Sequence, residues 1–411
     1  MEYGLIGEKL AHSFSKELHA KISNYDYQIK EIPSSELARF VTDKDYKGIN
    51  VTIPYKTDVM KYLDFISEEA IKIGAVNTIV NDGGKLCGYN TDYFGIKELL
   101  NKAKVSVKDK SVYILGTGGT SKTASAVVSD LGAKKVTLVS RKKIGEIIDY
   151  NELKIQANKV QVIINTTPVG MFPKTEFSPI DLADFSNLEG VIDVIYNPLK
   201  TSLILQAEKR KINCLGGLYM LVAQGVYASA YFTFSEPNVA LIDKIYRQIL
   251  NEKQNIVLTG MPSCGKSTIG KILSNLTGKE FIDTDEVITK KESAPSVIIK
   301  EKGEKYFRDL ESLVIKDISK ENGKIIATGG GAVLREENVS ALKQNGAVFF
   351  IDRALENLLT TEDRPLSSSK EKLQKLYSER YAIYKNTCDF AVDGNASIEQ
   401  VASAILKEFL L

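Results

Sequence analysis

Gly260-Met261-Pro262-Ser263-Cys264-Gly265-Lys266-Ser267-Thr268 dictates how the C-terminal part of this 411-residue chain folds. It fits the G-x-x-x-x-G-K-[S/T] phosphate loop, and an apolar run at 255–259 and a helical periodicity at 269–276 supply the strand and helix that flank such a loop. In this motif the backbone N–H groups converge on the β-phosphate of a nucleotide, Lys266 reaches the β and γ oxygens, and the Ser267 hydroxyl binds Mg²⁺. The motif predicts a nucleotide-dependent phosphotransferase or NTPase, and a chance glycine-rich turn is the alternative.

Length and composition bound the class of protein. A chain of 411 residues is too long for one ordinary hydrophobic core and predicts about two or three domains. With 43% hydrophobic and 26% charged residues it has the composition of a soluble globular protein, and a net charge of +2 gives no reason to expect nucleic acid or a membrane as partner. No apolar run approaches the ~20 residues of a membrane span, and the first residues do not resemble a signal peptide. Four dispersed cysteines, without a C-x-x-C pair, are typical of a reducing compartment, so we expect a cytoplasmic location.

The first 250 residues alternate short strands and helices, which predicts two successive α/β domains. Strands are predicted at 3–6, 27–32, 48–53, 75–80, 111–115, 135–140, 161–165 and 191–195, and helices at 15–23, 35–42, 56–63, 119–131, 220–234 and 239–250. The first domain should contain a mainly parallel sheet. A charged stretch at 104–110 predicts a hinge, and 251–254 predicts a short polar linker before the phosphate-loop domain.

A second glycine loop, Gly116-x-Gly118-Gly119, lies between a predicted strand and a predicted helix. It lacks the third glycine of the G-x-G-x-x-G dinucleotide fingerprint, and a simple tight turn is the alternative. About 25 residues later, Ser140-Arg141-Lys142-Lys143 stands where an NAD site usually places an acidic residue. Basic residues suit the 2′-phosphate of NADP, and Arg141 can also stack on adenine. The sequence therefore favours NADP(H), with a solvated basic strand end as the alternative.

Seven separated motifs in these 250 residues resemble those of shikimate dehydrogenases. They are His12-Ser13-Phe14-Ser15, Asn50-Val51-Thr52-Ile53-Pro54-Tyr55-Lys56, Gly74-Ala75-Val76-Asn77-Thr78, Asn90-Thr91-Asp92, Asn165-Thr166-Thr167-Pro168-Val169-Gly170-Met171, Asp193-Val194-Ile195-Tyr196-Asn197-Pro198 and Gly217-Leu218-Tyr219-Met220-Leu221-Val222-Ala223-Gln224. The resemblance implies a substrate site of Ser13, Ser15, Asn50, Thr52, Lys56, Asn77, Asp92, Tyr196 and Gln224. With the glycine loop and the basic strand end, it implies an NADP site of Gly116, Gly118, Gly119, Ser140, Arg141, Lys142, Val194 and Gly217.

Within this resemblance, Lys56 and Asp92 are the catalytic pair. A carbonyl that takes a hydride at carbon must gain a proton at oxygen, and a lysine held by a carboxylate can shuttle that proton. A surface ion pair is the alternative. One motif departs from the family: its N-R-T-x-x-R cofactor clamp is here Ser140-Arg141-Lys142-Lys143-Ile144-Gly145, which leaves the preference for NADP over NAD open, with Lys142 or Lys143 as substitutes.

From residue 256 onward the chain resembles shikimate kinases, which are small P-loop kinases. The shared motifs are Phe281-Ile282-Asp283-Thr284-Asp285, Gly303-Glu304-Lys305-Tyr306-Phe307-Arg308-Asp309-Leu310-Glu311, Thr328-Gly329-Gly330-Gly331-Ala332-Val333, Asp363-Arg364-Pro365-Leu366, and Arg380 four residues before Tyr384. The lid segment lacks the arginine that usually precedes it, and Thr289 replaces a usual acidic residue.

The resemblance implies roles for each of these positions. Lys266, Asp285 and Arg364 are the implied catalytic residues. ATP would be bound by Gly260, Ser263, Cys264, Gly265, Lys266, Ser267, Thr268 and Arg364, and Mg²⁺ by Ser267 and Asp283. The substrate would be bound by Asp285, Arg308, Gly329, Gly330, Gly331 and Arg380. Helix capping is the alternative for the two aspartates, and exposure on helix faces is the alternative for Arg308 and Arg380.

Together the resemblances imply an N-terminal α/β substrate domain (1–103, plus returning helices at about 218–250), a Rossmann-like NADP-binding domain (104–217), the linker (251–254) and a P-loop kinase domain with a parallel sheet (255–411). They imply NADPH-dependent reduction of 3-dehydroshikimate to shikimate, followed by ATP-dependent phosphorylation of the 3-hydroxyl. The oligomeric state is left open. Two alternatives remain: a metabolite sensor without turnover in the first half, or a quinate/shikimate dehydrogenase joined to another small-metabolite kinase, such as a gluconate kinase.

Overall fold

The computed structural model describes residues 1–10, 14–358 and 369–410, which form two compact units, Met1–Gln248 and Ile249–Leu411. Both units have the expected α/β architecture. The N-terminal unit contains two six-stranded sheets, and the C-terminal unit contains one five-stranded sheet. No helix within the described ranges has the length and apolar character needed to cross a membrane.

The first sheet of the N-terminal unit is mixed. Its strands are β1 (Tyr3–Gly7), β2 (Tyr27–Glu31), β3 (Gly48–Val51), β4 (Phe65–Ile66), β5 (Thr78–Asp82) and β6 (Lys85–Tyr89), in the order β2-β1-β3-β5-β6-β4. The expected parallel pairing holds for β1 with β2 and β3, but β5 runs antiparallel to both β3 and β6. For β5 and β6 the physical reason is the turn Gly83-Gly84: both glycines have positive φ, which closes a two-residue hairpin, and a hairpin is antiparallel.

Four helices accompany this sheet and one returns to it from later in the chain. They are α1 (Ser15–Ile22), α2 (Ser34–Asp43), α3 (Glu68–Ile73), α4 (Thr91–Lys102) and, after the second sheet, α8 (Leu218–Phe232). The helix expected at 56–63 is a short 3₁₀ segment, Asp58–Tyr62. α8 packs closely on α4 because Gly95 has no side chain: a Cβ there would lie 2.9 Å from the Met220 carbonyl.

The second sheet is parallel throughout. Its strands are β7 (Ser111–Leu115), β8 (Lys135–Ser140), β9 (Ile148–Asp149), β10 (Val162–Asn165), β11 (Gly190–Asp193) and β12 (Asn213–Leu215), in the order β12-β11-β10-β7-β8-β9. The remaining helices of the unit are α5 (Gly119–Asp130), α6 (Tyr150–Ile155), α7 (Ser202–Lys209) and α9 (Val239–Lys253). The strand order reverses between β7 and β10, and in open α/β sheets ligands bind beyond the carboxyl ends of the strands at such a point.

The C-terminal unit is built on one parallel sheet with β13 at its centre. The strands are β13 (Asn255–Thr259), β14 (Glu280–Asp283), β15 (Lys324–Ala327), β16 (Gly346–Asp352) and β17 (Phe390–Asp393), in the order β14-β15-β13-β16-β17. The helices are α10 (Lys266–Thr277), α11 (Thr284–Lys291), α12 (Pro295–Lys302), α13 (Glu304–Ile318), α14 (Glu336–Asn345), α15 (Lys370–Thr387) and α16 (Ile398–Leu410). Ile256 and Leu258 join one hydrophobic layer and Val257 the opposite one, so β13 is buried on both faces.

The expected linker at 251–254 is largely helical. α9 runs to Lys253, the Gln254 N–H still donates to the Leu250 carbonyl at 2.8 Å, and β13 begins at the next residue. The carbonyls at this helix end are satisfied by tertiary contacts: Lys279 Nζ donates to the Glu252 oxygen at 2.8 Å and to the Gln254 oxygen at 3.2 Å. The polar composition that predicts a linker therefore belongs to the last turn of a helix.

Candidate active sites

Lys56 and Asp92 meet although 36 residues separate them in sequence. Lys56 Nζ donates to Asp92 Oδ2 at 2.6 Å, and the side chains are 29% and 16% exposed, so the pair is half-buried rather than a solvated surface pair. Asp92 lies in the first turn of α4, where the helix dipole stabilises a carboxylate. The arrangement fixes the position of the Lys56 amine relative to the start of α4.

The Asn77 side chain is hydrogen-bonded to the N-terminus of the same helix, α4. Its Oδ1 accepts from the Thr91 N–H at 2.7 Å and from the Thr91 hydroxyl at 3.2 Å, and Thr91 directly precedes Asp92. Thr52 lies in the segment that leads from β3 to Lys56, with its N–H bonded to the Ile6 carbonyl at 3.0 Å. Asn50 is buried, and its amide is used in hydrogen bonds inside the domain.

The other predicted substrate residues approach this pair from two directions. Ser15 is the first residue of α1, so it stands at the positive end of a helix dipole, whereas Ser13 lies outside the described residues. The neighbouring Phe14 ring packs edge-on against Tyr196, with 5.6 Å between centroids. Gln224 packs beside α4, since a Cβ at Gly95, one turn after Asp92, would lie 3.3 Å from the Gln224 Cβ.

The glycine loop after β7 fits a dinucleotide pyrophosphate. Gly116 has φ +113, and Gly118 and Gly119, the N-cap and first residue of α5, have nothing within 4 Å of where a Cβ would stand, so there is open space on that side of the helix N-terminus. Ser121 occupies the place of the missing third glycine. It is 1% exposed, and its hydroxyl donates to the Gly118 carbonyl at 2.6 Å, so a small side chain fills that position without disturbing the turn.

The basic strand end after β8 is only partly available to a ligand. Lys143 Nζ forms an ion pair with Glu152 Oε2 at 2.9 Å, so this lysine is less available than its neighbours to bind a 2′-phosphate. Arg141 and Lys142 are exposed, and the Ser140 hydroxyl bonds to the Lys142 backbone, which shapes the turn that carries them. Arg141 and Lys142 are therefore the cations best placed for an additional phosphate.

Val194 and Gly217 are in direct contact, and Asp193 organises the segment around them. A Cβ at Gly217 would overlap the Val194 carbonyl, and the Gly217 N–H donates to the Ile195 carbonyl at 2.8 Å. Asp193 is fully buried; it accepts from the Ile195 N–H (3.0 Å) and from the side chains of Asn165 (3.1 Å) and Thr201 (2.7 Å). Burial raises the pKa of Asp193 to about 6. Sequence reasoning gave this residue no role; the signal was a carboxylate at the end of an apolar strand.

The phosphate loop has the geometry that its motif predicts. Gly260 has φ +143, and a Cβ there would lie 2.9 Å from Cys264 Sγ and 3.0 Å from the Ile351 carbonyl. Gly265, with φ +97, begins α10. Lys266 Nζ donates to the carbonyls of Gly260 at 2.9 Å and Met261 at 3.0 Å, so the ammonium group is held over the loop. Cys264 is 1% exposed and belongs to the core below it.

Ser267 and Asp283 form an oxygen pair suited to Mg²⁺. The Ser267 hydroxyl donates to Asp283 Oδ2 at 2.6 Å, while Asp283 Oδ1 accepts from the Asp285 N–H at 3.0 Å and so caps α11. Asp283 can therefore cap α11 with Oδ1 and still offer Oδ2 to an ion. Mg²⁺ is commonly held by one or two carboxylates together with substrate phosphates, and this donor set fits that chemistry.

One cavity of about 730 Å³ joins the phosphate loop to the predicted substrate groups. The predicted residues that line it are Ser263, Gly265, Lys266, Ser267, Thr268, Asp283, Asp285, Arg308, Gly329, Gly330, Gly331 and Arg380. Thr289 also lines it, with its hydroxyl bonded to the Asp285 carbonyl at 2.7 Å. Arg364 lies outside the described residues.

Arg308 and Arg380 are buried on the cavity wall rather than exposed on helix faces. Arg308 Nη1 donates to Glu311 Oε2 at 2.8 Å, and Arg380 Nη1 donates to the Gly330 carbonyl at 3.2 Å. Burial alone would lower the pKa of Arg308, but the carboxylates of Glu311 and Glu304 raise it above its ordinary value. Both guanidinium groups line the cavity and have the donor geometry that binds a carboxylate.

The three glycines after β15 each avoid a different collision. A Cβ at Gly329 would lie 2.7 Å from Glu311 Oε1 and 2.9 Å from Asp285 Oδ1, and one at Gly331 would overlap the Arg308 guanidinium. A Cβ at Gly330 would lie 3.2 Å from the Pro262 ring. The glycines therefore let this strand end pass between the acidic and basic groups of the cavity.

A mixed-sheet domain beside a doubly wound parallel sheet, followed by a phosphate loop with an arginine-lined cavity, defines an enzyme that joins a dinucleotide-dependent oxidoreductase to a P-loop kinase. Residues 5–79 match the family model described as shikimate dehydrogenase substrate binding domain, and residues 262–410 match the model described as shikimate kinase. The chain belongs to the shikimate dehydrogenase family and carries a shikimate kinase domain, so both resemblances inferred from the sequence are confirmed. It is an NADP-dependent oxidoreductase and a phosphotransferase in one chain.

Individual relatives agree with this assignment. The NADP⁺ shikimate dehydrogenase of Clostridium beijerinckii is 40% identical over 266 residues, which cover 61% of this chain and 98% of that protein. The enzyme of the same name from Methanocaldococcus jannaschii is 38% identical, over 59% of this chain and 96% of that protein.

Solved structures give the same picture. A chorismate mutase/shikimate 5-dehydrogenase fusion protein from Clostridium acetobutylicum has a TM-score of 0.57 at 36% identity, covering 60% of this chain and 96% of that one. Shikimate dehydrogenase 1 from Peptoclostridium difficile has a TM-score of 0.54 at 38% identity, covering 61% and 98%. A Thermus thermophilus shikimate 5-dehydrogenase, solved with NADP(H) and shikimate, has a TM-score of 0.54 at 26% identity, covering 60% and 99%.

Proposed function

We propose that this chain catalyses two consecutive steps of the shikimate pathway: NADPH-dependent reduction of 3-dehydroshikimate to shikimate, and ATP-dependent phosphorylation of the shikimate 3-hydroxyl. One observation carries the proposal. Each compact unit contains a glycine turn of the kind that binds phosphate and groups suited to a hydroxylated carboxylic acid: the Lys56–Asp92 pair at 2.6 Å in one unit, and Arg308 with Arg380 in the cavity of the phosphate loop in the other. The family matches of both halves support the same pairing.

The division of labour along the chain is part of the proposal. Residues 1–103, with the returning helices at about 218–250, would bind the substrate of the reduction, and residues 104–217 would bind NADPH. Residues 255–411 would form the kinase, joined to the reductase by the last turn of α9 and Gln254. The packing of α8 against α4 supports the assignment of the returning helix to the first domain.

In the reduction, NADPH supplies the hydride when it is bound at the switch point between β7 and β10. Lys56, hydrogen-bonded to Asp92, donates the proton to the carbonyl oxygen. The Asn77 amide and the Thr52 hydroxyl orient the ring hydroxyls, and Ser13 and Ser15 bind the substrate carboxylate at the start of α1. Tyr196 and Gln224 close the site, and Val194 and Gly217 leave room for the nicotinamide.

In the phosphorylation, the chain acts by positioning and by charge. Arg308 and Arg380 bind the shikimate carboxylate, and Asp285 orients the attacking 3-hydroxyl. Lys266 and the N–H groups of the phosphate loop hold the β and γ phosphates, with Ser267 and Asp283 as the residues that hold Mg²⁺, which supplies further neutralisation of phosphate charge when it is bound. Arg364 is proposed to reach the transferring phosphoryl group.

The two alternative functions receive less support. A metabolite sensor has no need of a lysine and an aspartate held 2.6 Å apart at the substrate cleft. A kinase for a different metabolite, such as gluconate, is disfavoured by the shikimate kinase match over residues 262–410.

The test is a one-pot assay of the purified full chain. With 3-dehydroshikimate, NADPH, ATP and Mg²⁺, we expect NADPH oxidation and shikimate 3-phosphate. Omitting ATP should stop the pathway at shikimate, and omitting NADPH should stop it at 3-dehydroshikimate. The kinase should use shikimate in preference to quinate or gluconate, and NADPH should be preferred to NADH. Absence of NADPH oxidation, or equal phosphorylation of gluconate, would contradict the proposal.

The Mg²⁺ assignment has its own test. Asp283→Asn should raise the Mg²⁺ concentration for half-maximal kinase activity by roughly ten- to a hundredfold, because the carboxylate that is proposed to hold Mg²⁺ through a water molecule is lost. The same variant should leave NADPH oxidation unchanged. An unaltered Mg²⁺ requirement would remove Asp283 from the ion site.

A further inference from the structure

Four buried polar side chains of the first domain form a series of hydrogen bonds that ends at Asn77. They are Tyr27, Asn50, Thr78 and Asn77, each at most 6% exposed. Buried polar groups are costly unless they are hydrogen-bonded, so the way these groups pair is informative. We call these four residues the amide relay.

The relay is continuous from the Tyr27 hydroxyl to the Asn77 side chain. Tyr27 Oη donates to Asn50 Oδ1 at 2.7 Å. Asn50 Nδ2 donates to Thr78 Oγ1 at 3.0 Å and to the Asn77 carbonyl at 3.3 Å. Thr78 Oγ1 in turn donates to Asn77 Oδ1 at 3.0 Å. At each step, one residue donates a hydrogen bond to the next residue in the direction of Asn77.

This pattern admits one orientation of each amide. If the Asn50 amide were flipped, its oxygen would face the Asn77 carbonyl, two acceptors together, and its NH₂ would face the Tyr27 hydroxyl. With Asn50 in place, the Thr78 hydroxyl receives a donor and can give its own proton to Asn77 Oδ1 at 3.0 Å, or to the Thr91 hydroxyl at 3.3 Å, which itself donates to Asn77 Oδ1. Thr91 adds two more donors to that oxygen. Asn77 Oδ1 is thereby saturated, and only Nδ2 is left to act on a substrate, as a donor.

The far end of the relay is held by a neutral aromatic stack. The His19 ring lies 3.9 Å from the Tyr27 ring with an interplanar angle of 5°, and His19 Nδ1 bonds to the Tyr25 hydroxyl at 2.7 Å. Burial lowers the pKa of His19 to about 3, against a smaller raising effect of Asn50. The histidine therefore carries no charge at neutral pH and serves to fix the plane of the Tyr27 ring.

We propose that Tyr27, Asn50 and Thr78 are positioning residues of the reductase, which act through Asn77 by holding its amide as a hydrogen-bond donor to a substrate oxygen beside Asp92. The inference rests on the proposed reduction of 3-dehydroshikimate. It assigns Asn50 to the orientation of Asn77 rather than to contact with substrate, because both amide hydrogens and the oxygen of Asn50 are already used inside the domain.

The first experiment removes one hydroxyl from the start of the relay. In the full chain, Tyr27→Phe should raise the KM for 3-dehydroshikimate roughly three- to tenfold, the effect of one neutral hydrogen bond, with the KM for NADPH unchanged. The matched control is Tyr46→Phe: Tyr46 is equally buried in this domain, but its hydroxyl donates to the Val41 carbonyl at 3.3 Å, outside the relay. This control should leave both KM values unchanged. An unchanged KM for 3-dehydroshikimate in Tyr27→Phe would overturn the proposal.

A double-mutant cycle separates positioning from a general contribution to folding. In an Asn77→Ala background, Tyr27→Phe should have no further effect on the KM for 3-dehydroshikimate, since the residue through which it acts is gone. The same fold-change in both backgrounds would overturn the proposal. Thr78→Val, an isosteric change nearer to Asn77, should behave in the same way and provides a second variant if Tyr27→Phe does not fold.

A readout without turnover distinguishes failure of this inference from failure of the proposed reaction. The side-chain amide protons of Asn50, followed by NMR, should exchange slowly with solvent in the wild-type chain and at least roughly tenfold faster in Tyr27→Phe. Wild-type protein without NADPH oxidation would count against the proposed reaction alone. Equal exchange of the Asn50 amide in both proteins would count against the relay.

Discussion

Lys56 reaches Asp92 from the segment after β3, while Asp92 is supplied by the first turn of α4. Both residues belong to the first domain, so the proposed proton donor is positioned without a contact from the proposed cofactor domain. Half-burial leaves the pair in contact with solvent, from which the lysine would recover a proton after each proposed reduction.

Replacing Lys56 by methionine should abolish this proton transfer while preserving most of the side-chain volume. We expect kcat for NADPH oxidation to fall roughly 10²- to 10⁴-fold, the usual worth of general acid catalysis, measured by absorbance with 3-dehydroshikimate. Lys61→Met, an exposed lysine of the same segment, is the control and should be neutral. Activity within a fewfold of wild type in Lys56→Met would remove Lys56 from the chemistry.

Asp193 provides a pH-dependent test at the same scale. Burial raises its pKa from the ordinary 3.8 to about 6, so between these values the native chain holds a proton that the unfolded chain has released. Stability therefore falls as the pH rises through this interval, by roughly 3 kcal/mol as an upper bound, and is constant above it. The asparagine in Asp193→Asn does not titrate. The difference in unfolding temperature, wild type minus variant, should therefore decrease as the pH is raised from 4 to 6.5.

Calorimetric scans of both proteins at half-unit pH intervals provide the measurement. The difference between the two proteins should change most between pH 4 and pH 6, where the native carboxyl group holds a proton that the unfolded chain has released. A temperature difference that stays constant with pH would contradict the assigned pKa.

At the scale of elements, the ends of strands build both sites. The segments after β7, β8, β11 and β12 carry the residues proposed to bind the cofactor, and the segments after β13, β14 and β15 carry the residues proposed to bind the phosphates and the kinase substrate. Parallel strands bring these ends to one edge of the sheet, which is why residues distant in sequence meet there.

The glycine loop after β15 offers a graded test of this arrangement. Gly329→Ala and Gly331→Ala should raise the KM for shikimate at least roughly tenfold, because the added methyl groups displace the Asp285 carboxylate and the Arg308 guanidinium. Gly330→Ala meets only the Pro262 ring, at 3.2 Å, and should have a smaller effect. Kinase assays over a range of shikimate concentrations measure the series, and NADPH oxidation in the same proteins is the control. A larger effect at Gly330 than at its neighbours would contradict this account of the loop.

At the scale of the whole molecule, each site draws its described residues from one compact unit. The groups around Lys56 belong to Met1–Gln248, and the cavity beside the phosphate loop belongs to Ile249–Leu411. The two reactions should therefore be separable by mutation in the intact chain.

Lys266→Ala should reduce kinase turnover at least roughly a hundredfold, because one preorganised charge on the phosphates is lost, and should leave NADPH oxidation within twofold of wild type. Shikimate should pass between the sites through bulk solvent. In a coupled assay with labelled 3-dehydroshikimate, excess unlabelled shikimate should then dilute the label in the phosphorylated product in full proportion. Product label that resists dilution would refute transfer through solvent.

The amino-acid sequence by itself determined the elements whose signal is local. The phosphate loop needs one strand, one turn and one helix within about 25 residues, and the observed β13 and α10 agree with the prediction. The same holds for β7, α5 and β8. Motifs of fixed spacing also identified both families, since side chains that must meet one ligand leave a recognisable pattern.

Only the tertiary structure decided how distant segments share atoms. The antiparallel turn of β5 and β6, the extension of α9 through the expected linker, and the use of the Asn50 amide inside the domain depend on partners far away in sequence. Periodicity records which face of an element is buried, but not which donor meets which acceptor. Hydrogen bonds between buried side chains are set by three-dimensional packing, and for that reason the roles of Asp193 and Tyr27 became visible only in the folded chain.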